Sequence, residues 1–127
     1  MSDRAEIERL VRDLHAARVR GDLPAMCRLF CEDARFEIAG ASDGKRIAVA
    51  AKGIGELRPW LAMMVKAFRL ADYTPLSTLV DGVKAAVHWR ARIHSKITGA
   101  VVPTELVDLF EVRDGRIASY IEFFVPR

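Results

Sequence analysis

The chain has 127 residues, 51% of them hydrophobic and 29% charged, with a formal net charge of +3. That length suits one domain, spanning 1–127, around a single core. The composition excludes a bilayer-spanning segment, since no apolar run approaches roughly 18 residues, and the scattered basic residues do not suit nucleic-acid binding.

The N-terminus, Met1-Ser2-Asp3-Arg4-Ala5-Glu6, is charged and lacks the apolar centre of a secretion signal, so a cytoplasmic location is expected. Asp3 and Glu6 resemble a capping box, and Ile7, Leu10, Val11 and Leu14 form a stripe at helical spacing. Gly21 is a stop signal, and Asp22 can cap a short second helix with Pro24 in its first turn and Met26, Leu29 and Phe30 facing inward. Arg35–Ala39 reads as a strand, Gly40–Gly44 as a loop and Arg46–Ala51 as a second strand. A third helix is expected over Gly55–Arg69, which tolerates Pro59 only in its first turn. From Tyr73 to Val125 the pattern predicts three long strands, with turns at Asp81-Gly82, Thr98-Gly99-Ala100 and Arg113-Asp114-Gly115. Helices early and long antiparallel strands late define an α+β fold.

Between Val83 and Ile97 the odd positions are apolar and the even ones carry Lys84, His88, Arg90, Arg92, His94 and Lys96, so the odd face packs inward. A two-residue turn at Gly99-Ala100 would set His94 against Glu105, His88 against Glu111 and Asp108 against Ala91. A three-residue bulged turn at Arg113-Asp114-Gly115 would set Asp108 against Tyr120 and Leu106 against Glu122; a two-residue turn would set Ile121 there. Either way Asp108 shares its face with Leu106, Phe110 and Val112, and no basic residue is expected on that inner face of the sheet. A carboxylate on the most apolar face of a strand is costly unless paired, and clefts collect such groups. Val107, Leu109, Ile117, Ile121 and Phe123 fall on the outer face, an apolar patch that predicts a homodimer through the sheet.

Cys27 and Cys31, with histidines only at 15, 88 and 94, make no zinc pattern and read as reduced, packed thiols. Gly40-Ala41-Ser42-Asp43-Gly44 matches G-x-S-x-G literally, but that elbow requires a strand-to-helix turn in a parallel sheet.

"GDLPAMCRLFCEDARFE" (Gly21–Glu37) and "FEVRDGRIASYIEFF" (Phe110–Phe124) resemble the NTF2-like superfamily, in its SnoaL-like and ketosteroid isomerase-like branch. The resemblance implies a cone: three N-terminal helices packed on a strongly curved, mostly antiparallel sheet around a deep pocket, with frequent sheet-to-sheet dimers. It implies a pocket role for Asp108, at the place where ketosteroid isomerases hold a neutral acid that donates to a substrate oxyanion. The isomerase base position falls at Ile38 and its helix tyrosine at Leu14, which argues against steroid isomerisation. Asp108 is the candidate catalytic residue. Tyr120, Glu122, His15, Leu14, Phe36, Ile38, Trp60 and Trp89 are candidate substrate contacts. The expected function is cofactor-independent, metal-free acid–base chemistry, of isomerase, cyclase or dehydratase type, on a hydrophobic cyclic or carbonyl substrate. The alternative is a non-catalytic module that binds an apolar ligand or supplies dimerisation.

Overall fold

A computed structural model describes residues 4–42 and 44–127. Helix α1 (Arg4–Arg20) buries the expected stripe, Ile7, Leu10, Val11 and Leu14. Gly21, with φ +72°, ends it, and the amide of Asp22 returns to the Ala17 carbonyl at 2.8 Å. The Asp22 carboxylate then accepts from the Ala25 amide at 3.1 Å and opens α2 (Leu23–Arg28). Asp3, the other half of the proposed capping box, lies outside the described residues.

Strand β1 (Phe30–Ser42) is longer than expected at both ends and meets β2 (Lys45–Lys52) antiparallel, with Ser42 opposite Lys45. The G-x-S-x-G match therefore sits where two antiparallel strands join, not at a strand-to-helix elbow. Helix α3 (Ile54–Lys66) places Pro59 sixth, in its second turn rather than the first, so the Gly55 carbonyl loses its intrahelical donor. The remainder of the chain forms four strands where three were expected: β3 (Phe68–Asp81), β4 (Lys84–Ser95), β5 (Val101–Arg113) and β6 (Arg116–Pro126).

The six strands form one mixed sheet in the order β2-β1-β6-β5-β4-β3, with β1 and β6 parallel and the other neighbours antiparallel. Helix α1 packs against β3, and α3 against β1, β2 and β3. Burial alternates along β4 and β5, and Ala85, Val87, Trp89 and Ala91 face inward as expected.

Both hairpin registers differ from expectation. In the β4–β5 turn, the Ser95 hydroxyl accepts from the amides of Ile97 and Thr98 and Gly99 takes φ +78°. Lys96–Gly99 is therefore a four-residue loop, and the pairing slides by four. Asp108 faces Val87 instead of Ala91, Lys84 faces Glu111, and His94 faces Val101. The ion pair of His88 is with Glu105, at 3.1 Å. In the β5–β6 hairpin, Asp114 and Gly115 both take positive φ in a two-residue turn, and one extra residue, Ala118, bulges from β6 opposite the step from Glu111 to Val112. Asp108 consequently faces Glu122, not Tyr120, and Leu106 faces Phe124. Each slip is an even number of residues, so every side chain of β5 keeps its assigned face. The bulge does reverse one assignment: Ile117 pairs with Val112 and is 0% exposed, so it leaves the outer patch.

Candidate functional site

The inner face of β4, β5 and β6 meets the stripe of α1 at a buried cluster of polar side chains. Asp108, on β5, is 0% exposed. Its Oδ2 accepts from the indole N–H of Trp89 at 3.0 Å and lies 2.8 Å from Nε2 of His15. An indole can only donate, so Oδ2 is an acceptor there. The other ring nitrogen of His15, Nδ1, is 2.7 Å from the Tyr73 hydroxyl. A neutral imidazole satisfies an ionised Asp108 in one way: Nε2–H donates to the carboxylate and Nδ1 accepts from the tyrosine. Asp108, His15 and Tyr73 thus form a continuous chain of hydrogen bonds. Oδ1 of Asp108 is buried with no hydrogen-bond partner among the described residues.

A second set adjoins the first. Arg18, one helical turn beyond His15, donates to Oε2 of Glu122 at 2.8 Å, and Tyr120 donates to the same oxygen at 3.0 Å. The expected partner of Tyr120 was Asp108; the register of β6 gives it Glu122 instead. The Arg18 guanidinium lies 5.3 Å from the centre of the Trp89 ring, which joins the two sets.

Burial pushes the Glu122 carboxyl above the ordinary range; Arg18 pulls against this and the charge of Asp108 adds to it. Burial disfavours the charge on Arg18, but Glu122, Tyr120 and Asp108 more than offset it and hold the guanidinium protonated. Tyr120 is raised well above the usual phenol, first by burial and then by Asp108. Tyr73 is raised for the same two reasons, so it keeps its proton at neutral pH.

Of the residues proposed from sequence, His15, Trp89, Asp108, Tyr120 and Glu122 converge in this cluster. Phe36 stacks on Tyr120 with ring centres 5.6 Å apart, and Ile38 pairs in register with Glu122. Leu14 is buried beside His15 on α1, and Trp60 is half-buried against the core without a polar contact to the cluster. The expectation that no basic residue shares the inner sheet face with Asp108 did not reach the helix, and it is α1 that supplies His15 and Arg18. Arg18 escapes the sequence reading although it stands on the stripe, seven residues after Val11 and four after Leu14. Tyr73 escapes it because the pattern gives that residue only a strand start; Asp72, at φ +54°, begins a bulge in β3 opposite Ala91, beside it.

Two surface cavities open on the sheet, and the second reaches the cluster at Tyr73. One, of about 550 Å³, is lined by Arg90, Arg92, Thr104 and Arg127 at the C-terminal end of β6. The other, of about 720 Å³, runs between α1 and β3. Asp108 lines neither. Among the described residues no His, Cys, Asp and Glu group is placed to hold a metal ion, and no helix is long and apolar enough to cross a membrane.

Residues 11–120 match the profile of the SnoaL-like domain. The chain belongs to the SnoaL-like family. No curated protein matches it. The fold of this SnoaL-like chain is similar to that of the epoxide hydrolase/cyclase-like enzyme SalBIII of pyran ring formation in the polyether salinomycin, at TM-score 0.78 and 23% identity, over 98% of this chain and 94% of that one. It is similar to an LEH-like epoxide hydrolase from M. tuberculosis (TM-score 0.76, 19% identity, 94% and 83% covered). It is also similar to an NTF2-like protein from Burkholderia xenovorans LB400 (TM-score 0.76, 21% identity, 94% and 89% covered). At these identities the likeness is one of fold.

Proposed function

We propose that this SnoaL-like chain is a cofactor-independent enzyme that performs general acid–base chemistry on a hydrophobic cyclic or carbonyl substrate. The observation that carries the reading is the chain from Asp108 through His15 to Tyr73, at 2.8 and 2.7 Å. In such a chain the tyrosine oxygen takes a proton from the substrate while its own proton passes to Nδ1 of His15. The imidazolium so formed is stabilised by Asp108 through Nε2–H, as in an acid–histidine–nucleophile relay. Running backwards, the same steps return the proton to the product. The unpartnered Oδ1 of Asp108 supports the reading, since a buried acceptor without a donor costs about 1–3 kcal/mol in a merely structural role. Glu122 is a second acid beside Asp108, in register with Ile38, the strand position where the isomerases carry their base.

The test is turnover of a panel of cyclic ketones, enones and epoxides, each with and without a ring hydroxyl, by the wild type and by Asp108→Asn. Turnover of at least one class, lowered roughly 10²- to 10⁴-fold in the variant, is expected. Activity that survives the substitution would overturn the role of Asp108, and binding without turnover of any class would establish the non-catalytic alternative. We propose also that the chain pairs through its outer sheet face. Leu109 and Phe123 are 38% and 42% exposed there, next to Val107 and Ile121.

A further inference from the structure

The groove between α1 and β3 is, we propose, the binding site for an apolar cyclic alcohol, whose hydroxyl donates a hydrogen bond to the oxygen of Tyr73. This deepens the acid–base reading and rests on it for the role of the relay, though not for the binding itself.

Tyr73 is the residue that belongs both to the hydrogen-bond chain and to the groove wall. The groove wall also includes Val87, the cross-strand partner of Asp108 on β5. Val11, Ala16, Val19 and Pro75 make the rest of the groove mostly apolar, with Glu8, Arg12 and Thr78 also in its wall. At about 720 Å³ the space falls within the range of roughly 300–1,000 Å³ typical of small-molecule sites.

The polarity of the ligand is set by the relay. With His15 neutral against an ionised Asp108, the single proton of Tyr73 goes to Nδ1 of His15, and the tyrosine oxygen is left as an acceptor toward the groove. A hydroxyl suits that acceptor and a carbonyl does not. The proposed reaction requires the same direction: the proton that Tyr73 removes must come from the ligand.

The experiment uses the full chain with carbon-13 methyl labels and two probes of one shape, 2-adamantanol and 2-adamantanone. Saturable shifts of the Val11, Val19 and Val87 methyls are expected, with the alcohol bound about 2- to 10-fold more tightly than the ketone, the worth of one neutral hydrogen bond. Tyr73→Phe should bring the alcohol to the affinity of the ketone. Ala16→Trp, which fills the groove from the exposed side of α1, should abolish binding of both while leaving the fold's spectrum intact. Shifts at Leu14 and Ile38 instead, no saturable shift at all, or a preference for the ketone would each overturn the groove assignment. A chain that binds the alcohol as described yet turns over nothing in the substrate panel would sink the enzyme reading alone and leave the site standing.

Discussion

Replacing Asp108 with leucine and, separately, with asparagine isolates what its hydrogen bonds contribute. Both substitutions remove the buried charge, but asparagine sets its N–H₂ where the unpartnered Oδ1 stood, and leucine leaves no polar atom there. They differ also at Oδ2. Asparagine keeps an acceptor for the N–H groups of His15 and Trp89, whereas leucine strands both donors inside the protein. Each stranded donor costs about 1–3 kcal/mol, about 2–6 for the pair. The buried methyls of leucine return about 0.8 kcal/mol per carbon. The amide N–H₂ of asparagine is itself left without an acceptor, at about 1–3 kcal/mol. The leucine variant should therefore be less stable than the asparagine variant by at most about 1.5 kcal/mol, against the roughly 5–15 kcal/mol that holds a domain folded. Urea unfolding followed by tryptophan fluorescence measures the difference directly, and Trp89 reports from the site itself. An unchanged slope with a lower midpoint is the expected signature. A leucine variant more stable than the asparagine one by over about 1 kcal/mol would mean that the donors find other partners or water, and the cluster would lose its claim to be an ordered network.

Arg18→Met should cost about 3–5 kcal/mol by leaving Glu122 buried without its cation, and adding Glu122→Leu should restore part of that loss; a double variant worse than the single, by thermal or urea unfolding, would refute the pairing. Because burial raises Glu122 in the folded state, its contribution to stability is fully present below the ordinary value of 4.5 and is lost as pH rises through the folded value. Glu122→Gln should accordingly flatten the decline of stability above that ordinary value, seen in unfolding midpoints across pH, and an unchanged profile would contradict the shift. Ile121→Asp should convert a sedimenting dimer to monomer, whereas a wild type that sediments as a monomer at high concentration would remove the proposed outer-face interface.

The alternation along β4 and the placement of Asp108 among Leu106, Phe110 and Val112 were enough to assign the faces of the sheet, because side-chain direction has period two and survives an even slip. Residue opposition was not legible. It depends on the Ser95 hydroxyl, which gathers two amides into a longer turn, and on a bulge at Ala118 that no residue type announces. His15 was within reach of the helical stripe, but its partners were not, since they come from strands 58 and 93 residues away in sequence. Arg18 was legible in principle: a cation on an apolar stripe, like an acid on an apolar strand face, signals an opposite charge across the core.

The extra residue in β6 also sets where this chain can change length. A sequence lacking Ala118 would close the hairpin into a regular ladder, and Ile117, Tyr120 and Glu122 would still face inward opposite Val112, Phe110 and Asp108. A deletion after Tyr120 has no such outlet, because it brings Tyr120 and Glu122 to opposite faces of the strand. Strand β6 therefore holds one residue of slack on the side of its turn and none on the side of the carboxylates. Among homologous chains, single-residue gaps should gather before Tyr120, and the two-residue step from Tyr120 to Glu122 should stay constant.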